Sequence, residues 1–188
     1  MITTIVFDCF GVLAQEGWTP FKAKYLKSPE QLAKAKEINY QMDIGNISFN
    51  DFIGQVSQLA GTDFDYTYKS IDNTPVNKEL VDYIKRDLKN RYKIGLLSNA
   101  GDDWMEQIFG LGHGDLFDEV ALSYAMGYAK PDPNAYRVML EKINSRPSET
   151  VFIDDQHTYI VGAQEYGLKT VHHKDNATTI SKLEKLLG

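Results

Sequence analysis

Cysteine is almost absent: Cys9 stands alone, so no disulfide can form within the chain, which suits a reducing compartment without requiring one. Basic residues are the minority, with 20 Lys plus Arg against 26 Asp plus Glu and a formal net charge of −6. That balance argues against an extended nucleic-acid-binding surface. No run approaches about 18 consecutive apolar residues, so no membrane-spanning helix is expected. The N-terminus has no basic segment, and Asp8 interrupts its apolar run. Both features argue against a secretory signal and for the cytoplasm. Internal repeats, low-complexity tracts and blocks of like charge are also missing.

What remains is an ordinary globular composition, 43% hydrophobic and 24% charged over 188 residues. At roughly 150 residues per domain, that length suits one domain with an insertion. Five short apolar, β-branched runs read as strands: Ile2 to Phe7, Tyr92 to Leu97, Glu119 to Ser123, Thr150 to Ile153 and Lys169 to His172. Helical stretches follow the last four, over Asp102 to Phe109, Asn134 to Asn144, Thr158 to Tyr166 and Thr178 to Leu187. Another, Val76 to Lys89, precedes the second strand with Leu80, Tyr83, Ile84 and Leu88 on one stripe. Strands alternating with helices imply parallel strands joined by right-handed crossovers. The expected fold class is therefore α/β, a Rossmann-like doubly wound parallel sheet.

The segment from Gln15 to Thr74 breaks this rhythm, being far longer than one crossover needs. It reads as helices over Pro20 to Leu26, Pro29 to Asp43 and Ser48 to Leu59, the last with Ser48 as N-cap. The expected division is a catalytic core of residues 1–14 and 75–188 with an all-helical cap of residues 15–74. The cap leaves the core at the carboxyl end of the first strand, where open α/β sheets bind ligands.

Asp8 follows the first strand, and Gly11 breaks the chain just beyond. Alone, Asp8 reads as a turn residue. The second strand ends in Ser98 and Asn99, the fourth in Asp154 and Asp155, and Lys130 precedes Pro131 beyond the third. Singly these read as helix caps or a solvated lysine. Parallel strands, however, bring all of these tips to one edge. Crowded carboxylates invite a hard divalent cation such as Mg²⁺, which takes oxygen ligands and a substrate phosphate oxygen. Ser98, the Asn99 amide and Lys130 then offer donors to a phosphoryl group. Asp8 is left as the nucleophile.

At these positions the sequence resembles the haloacid dehalogenase superfamily. Phe7-Asp8-Cys9-Phe10-Gly11-Val12-Leu13 is similar to its first motif, Leu96-Leu97-Ser98-Asn99 to the second, Lys130-Pro131 to the third and Phe152-Ile153-Asp154-Asp155 to the fourth. The insertion resembles the small helical cap of one subclass. The resemblance implies that Asp8 attacks phosphorus to form an aspartyl phosphate. It implies Mg²⁺ held by Asp8, the Phe10 main-chain carbonyl and Asp154 with Asp155 assisting. It further implies that Ser98 and Lys130 hold the phosphoryl group, that Gly11 belongs to a mobile flap, and that the cap closes over a small phosphorylated metabolite. The stretch from Gly45 to Phe52 is similar to members acting on such metabolites, including sugar phosphates.

One position departs from the pattern. Most phosphatases of the superfamily carry a second aspartate two residues after the nucleophile, which protonates the leaving oxygen; here Phe10 stands there. A placed acid contributes roughly 10² to 10⁴-fold, or about 3 to 5 kcal/mol of barrier. Three readings stay open. The chain is a phosphatase whose proton comes from solvent or a cap residue such as Glu16, a dehalogenase, or a phosphate-ligand binder without turnover. The retained acidic pair favours the phosphatase, because dehalogenases of the superfamily work without metal.

Other residues read as structural. Trp18, Phe21, Tyr25, Tyr40, Phe49 and Phe52 make the cap aromatic, mostly as cap core. His172 and His173, adjacent on a strand, face opposite ways and read as loop-edge polar residues rather than a metal pair. His157 reads as a helix-start residue, and Cys9 as a small buried one.

Overall fold

The computed structural model describes residues 1–111 and 113–188. Five strands form one sheet: β1 (Thr4–Phe7), β2 (Lys93–Ser98), β3 (Glu119–Leu122), β4 (Thr150–Asp154) and β5 (Lys169–His172). Every pairing is parallel, in the order β3-β2-β1-β4-β5. β1 is buried on both faces, which is why its sequence is a continuous apolar run rather than an alternating one.

The helices are α1 (Trp18–Tyr25), α2 (Pro29–Asp43), α3 (Phe49–Ala60), α4 (Phe64–Ile71), α5 (Lys78–Tyr83), α6 (Met105–Phe109), α7 (Ser123–Met126), α8 (Pro133–Lys142), α9 (His157–Glu165) and α10 (Asn176–Leu187). The strand period of two sorts the core into two layers. Ile5, Phe7, Ile94, Leu96 and Ile153 face one side and pack with Leu80 and Ile84 of the α5 region and Leu183 of α10. Val6, Leu97 and Phe152 face the other and pack with Tyr136 and Met139 of α8 and Ile160 of α9. Burying each such large side chain contributes about 1.5–3 kcal/mol. Among the described residues, no helix is long and apolar enough to cross a membrane.

Residues 17–72 hold α1 to α4 around a separate apolar cluster that includes Phe21, Ile38, Phe52, Val56 and Ile71. Local signals set the ends of these helices. Ser28 accepts from the Gln31 N–H and Pro29 opens α2; Ser48 accepts from the Asp51 N–H, and Gly61 closes α3 in the left-handed conformation. The fourth helix, α4, falls where none was expected, although Phe64, Thr67, Tyr68 and Ile71 lie at helical spacing behind the Asp63 N-cap. Ser123, expected to end β3, instead opens α7, where its hydroxyl is tied to the Ala100 backbone. The helix expected over Val76 to Lys89 starts at Lys78, capped by Asn77, and widens into a π-turn over Ile84–Leu88.

The inserted helices join the sheet through two chain segments lying side by side. Ala14 bridges Val76 in antiparallel fashion, Gln15 N–H donates to Pro75 O at 2.9 Å, and Asn77 N–H donates to Leu13 O at 2.8 Å. The Asn77 side chain further binds Asn176, the first residue of α10.

Candidate active site

Register builds the site. Phe7 lies opposite Leu96 of β2 and Ile153 of β4, so the next residue, Asp8, emerges level with the ends of both neighbours. Ser98 ends β2 and Asp154 ends β4, which brings three sequence-distant tips to one edge. Lys130 joins them from the loop before α8. Its Nζ donates to Asp8 Oδ1 at 2.6 Å and to Asp154 Oδ2 at 2.7 Å, with all three side chains buried. The ammonium also lies 5.3 Å from the centre of the Phe152 ring and 5.0 Å from that of Tyr159. Burial disfavours its charge, yet Asp154 and Asp8 outweigh burial and hold it protonated, well above the ordinary lysine range.

Negative charge is in excess here. Carboxylate oxygens of Asp8, Asp154 and Asp155 lie within 4.8 Å of one another, facing the single ammonium of Lys130. Burial pushes the Asp8 carboxyl up to about 8 against the pull of Lys130, with Asp154 adding to the push. Asp155 is raised too, by burial and then by Asp154. Asp155 Oδ1 is buried without a hydrogen-bond partner among the described residues. An orphaned carboxylate oxygen beside two further carboxylates is the donor set a hard, oxygen-seeking cation requires. Only glycine fits at position 11. Its φ is +89°, and a Cβ there would stand 2.6 Å from Asp155 Cγ.

The remaining residues position this group. Asn99 Nδ2 donates to Lys130 O at 3.0 Å, while its Oδ1 accepts from the Lys130 N–H at 2.8 Å. The Asn99 side chain is thus engaged with the Lys130 backbone, and Asn99 lines the cleft. Ser98 is fully buried, and its Oγ makes only a long contact, 3.4 Å, to Asn99 O. Gln156 N–H donates to Asp154 Oδ1 at 2.7 Å. The two histidines differ from the expected loop-edge residues. His172 Nε2 sits 2.8 Å from Asp155 O, and His173 Nδ1 sits 2.8 Å from Thr179 Oγ1. β5 ends at His172, so His173 lies just beyond the strand, and the two rings meet different partners. Cys9 is fully buried.

A cleft of about 550 Å³ opens above Asp8 and Lys130, roofed by the inserted helices. Phe10 lines it and packs edge-on against Trp104, with ring centres 4.6 Å apart. Trp104 Nε1 has no partner among the described residues. Trp18, Phe49 and Phe52 supply an aromatic wall. Glu16 lines the cleft too, but its Oε1 accepts from the Thr19 N–H and hydroxyl at 2.9 and 3.0 Å. Asp43, the last residue of α2, is a buried carboxyl facing the same space and was not singled out by any sequence pattern.

The chain is similar to known proteins in sequence and fold. Residues 2–167 match the model of the haloacid dehalogenase-like hydrolase family. D-ribitol-5-phosphate phosphatase of Bacteroides thetaiotaomicron is 27% identical, with both chains covered in full. Bifunctional epoxide hydrolase 2 of Sus scrofa is 38% identical over 72 residues, a match covering 38% of this chain but only 13% of that protein. Among solved structures, a HAD family enzyme of Bacteroides thetaiotaomicron in complex with magnesium and inorganic phosphate superposes with a TM-score of 0.74 at 26% identity, covering 93% of this chain and 95% of its own. With its motifs at the tips of an all-parallel sheet and the family match spanning nearly the whole length, the chain belongs to the haloacid dehalogenase-like hydrolase family and is a hydrolase.

Proposed function

We propose that this hydrolase is a phosphatase of small phosphorylated metabolites, with Asp8 as the nucleophile that carries the phosphoryl group. The observation that carries the reading is the site's charge pattern: an acidic pair, Asp154 and Asp155, kept beside a nucleophilic carboxylate and bridged to it by Lys130. A carboxylate that displaces halide from carbon is better left without such a surplus. The magnesium and phosphate bound by the Bacteroides HAD enzyme, and the phosphatase name of its full-length relative, support the same reading.

In this reading Mg²⁺ is held by Asp8, the Phe10 main-chain carbonyl, Asp154 and Asp155, and when bound it supplies neutralising charge to the phosphoryl oxygens. Lys130 draws Asp8 toward its ionised form against the effect of burial and orients it, and its ammonium offsets charge on the transferring group. Ser98 presents a hydroxyl at the same strand edge, while Asn99 and Gln156 fix Lys130 and Asp154 in place. The four helices of residues 17–72 act as a cap that excludes water from the cleft, and the aromatic wall selects the organic part of the ester.

The test is phosphate release from a panel of phosphorylated metabolites. Mg²⁺-dependent turnover that EDTA removes, and that Asp8→Asn lowers by at least about 10⁴-fold, is the expected outcome. Halide release from a 2-haloacid in EDTA, without phosphate release, would refute the assignment.

A further inference from the structure

We infer that Asp43, carried by the cap helix α2, is the acid–base group of the phosphoryl-transfer cycle, taking the place that Phe10 leaves without a proton. This inference rests on the phosphatase reading above and extends it to a residue outside the four motifs.

The need comes from the cleft floor. Phe10 and Trp104 pack ring against ring beside Asp8, and neither side chain exchanges a proton near neutral pH. On the core side, Asp102 and Asp103 also line the cleft, but both are exposed and their Oδ1 atoms accept from the Asp103 and Met105 N–H groups. On the cap side, Glu16 is engaged in starting α1, and Asp72 accepts from Gln107 Nε2 at 3.0 Å. Asp43 is different. It is 6% exposed, and it lines the same cleft as Asp8. Its Oδ2 accepts from Asn39 Nδ2 at 2.7 Å, while Oδ1 accepts no hydrogen bond among the described residues.

Two further features speak against a merely structural role. Asp43 is the final residue of a 15-residue helix with no basic residue in its last turn. A negative charge there opposes the helix dipole and costs about 0.3–1 kcal/mol, so stability alone gives no reason for an acid. The carboxyl is also held by contacts on either side of it. Met42 packs onto Gly101, where a Cβ would come within 2.3 Å of Met42 Cγ, and Gly45 rests on the Tyr124 carbonyl, where a Cβ would be 2.5 Å away. Gly101 and Tyr124 follow β2 and β3, so the end of α2 is docked directly onto the catalytic core.

The electrostatics agree with the geometry. Burial pushes Asp43 up to about 7, while Lys130, Asn39 and Lys22 draw it back. In turn, Tyr159, whose ring lies 5.0 Å from Lys130 Nζ, feels the charge of Asp43. A group titrating near neutrality is suited both to give and to take a proton.

The cycle balances as follows. An Asp8 oxygen bonds to phosphorus, the bond from phosphorus to the ester oxygen breaks, and that oxygen takes the Asp43 proton to leave as the alcohol. Asp43 is then a carboxylate. It accepts a proton from the water that attacks the aspartyl phosphate, the Asp8–phosphorus bond breaks, and phosphate departs with Asp43 protonated again.

The test compares the Mg²⁺-loaded wild type with Asp43→Asn on two esters: an alkyl monophosphate, whose alkoxide needs a proton, and 4-nitrophenyl phosphate, whose leaving group does not. Asp43→Asn should lower kcat/KM for the alkyl ester by roughly 10² to 10⁴-fold. First-turnover release of 4-nitrophenolate should persist, with a phosphorylated protein accumulating in the intact-mass spectrum because its hydrolysis has lost its base. Asp43→Glu should restore part of the alkyl activity. A test without substitution is available in the wild type: kcat/KM for the alkyl ester should fall as pH rises through neutrality, a limb absent from first-turnover nitrophenolate release. Alkyl turnover in Asp43→Asn within about threefold of wild type, or equal loss on both esters without trapped phosphoprotein, overturns the inference. Wild-type protein that releases phosphate from neither ester overturns the phosphatase reading itself, and this one with it.

Discussion

The floor and the roof of the cleft are built on opposite principles. On the floor, Lys130 bonds Asp8 and Asp154 at 2.6 and 2.7 Å, beside the buried and unpartnered Asp155 Oδ1. The roof is aromatic: Trp18 meets Phe52 edge-on at 5.1 Å, and Phe49 meets Tyr68 at 5.6 Å. Charge fixed at short range suits a group common to all phosphate esters. A wall of rings discriminates by shape and apolar area, which vary between esters. Under the proposed function, reaction and selection would fall to separate stretches of chain, with Asp43 a buried acid of the inserted helices that lines the same cleft as Asp8.

The comparison breaks most visibly at Lys130. Lys130→Met leaves Asp8 and Asp154 buried without their cation, a loss of about 3–5 kcal/mol. Thermal melting should drop accordingly, and Mg²⁺ should raise the melting temperature of this variant more than that of wild type. Equal magnesium shifts in the two proteins would mean that ammonium and metal do not share the same carboxylates.

Asp43 sharpens the contrast through pH. Its ordinary value of 3.8 is raised to about 7 in the folded chain. Between those values the native state holds a proton that the unfolded state has released, so this group's contribution to stability is whole below about pH 4 and lost as pH climbs through 7. Asp43→Asn should therefore match wild type in acid and become more stable above neutrality, by on the order of a few kcal/mol. Denaturant melts at pH 4 and pH 8 measure the difference. Equal stability at both would show that the native environment leaves this carboxyl unperturbed.

The smallest effect belongs to the roof. Trp18→Ala should raise KM for a bulky aryl ester by about tenfold, near 1.4 kcal/mol, and less for a short alkyl ester. A similar loss on both would assign Trp18 to cap packing alone.

Much of this was legible in the sequence, for definable reasons. β1, β2 and β4 announce themselves because burial on both faces demands apolar runs, and Asp8 and Asp154 stand out as polar residues at strand ends, with Lys130 in the loop before α8. Strand order β3-β2-β1-β4-β5 leaves no such trace, since alternation of elements fixes parallelism but not neighbours. α4 carries a legible signal, with Phe64, Tyr68 and Ile71 at helical spacing behind the Asp63 N-cap, but it spans only eight residues. Asp43 was hidden at the end of a correctly bounded helix: what distinguishes it is burial against a distant loop, which no local spacing encodes. The same holds for His172, whose hold on the Asp155 carbonyl depends on β5 lying beside β4.

One modest element constrains everything above the sheet. The paired segments at Ala14 and Val76 are the only covalent connections of residues 17–72 to the remainder, and they run side by side in opposite directions. Were the inserted helices to separate from the sheet about this join, Asp8 would stay with β1 while Asp43, at the end of α2, would move away with them.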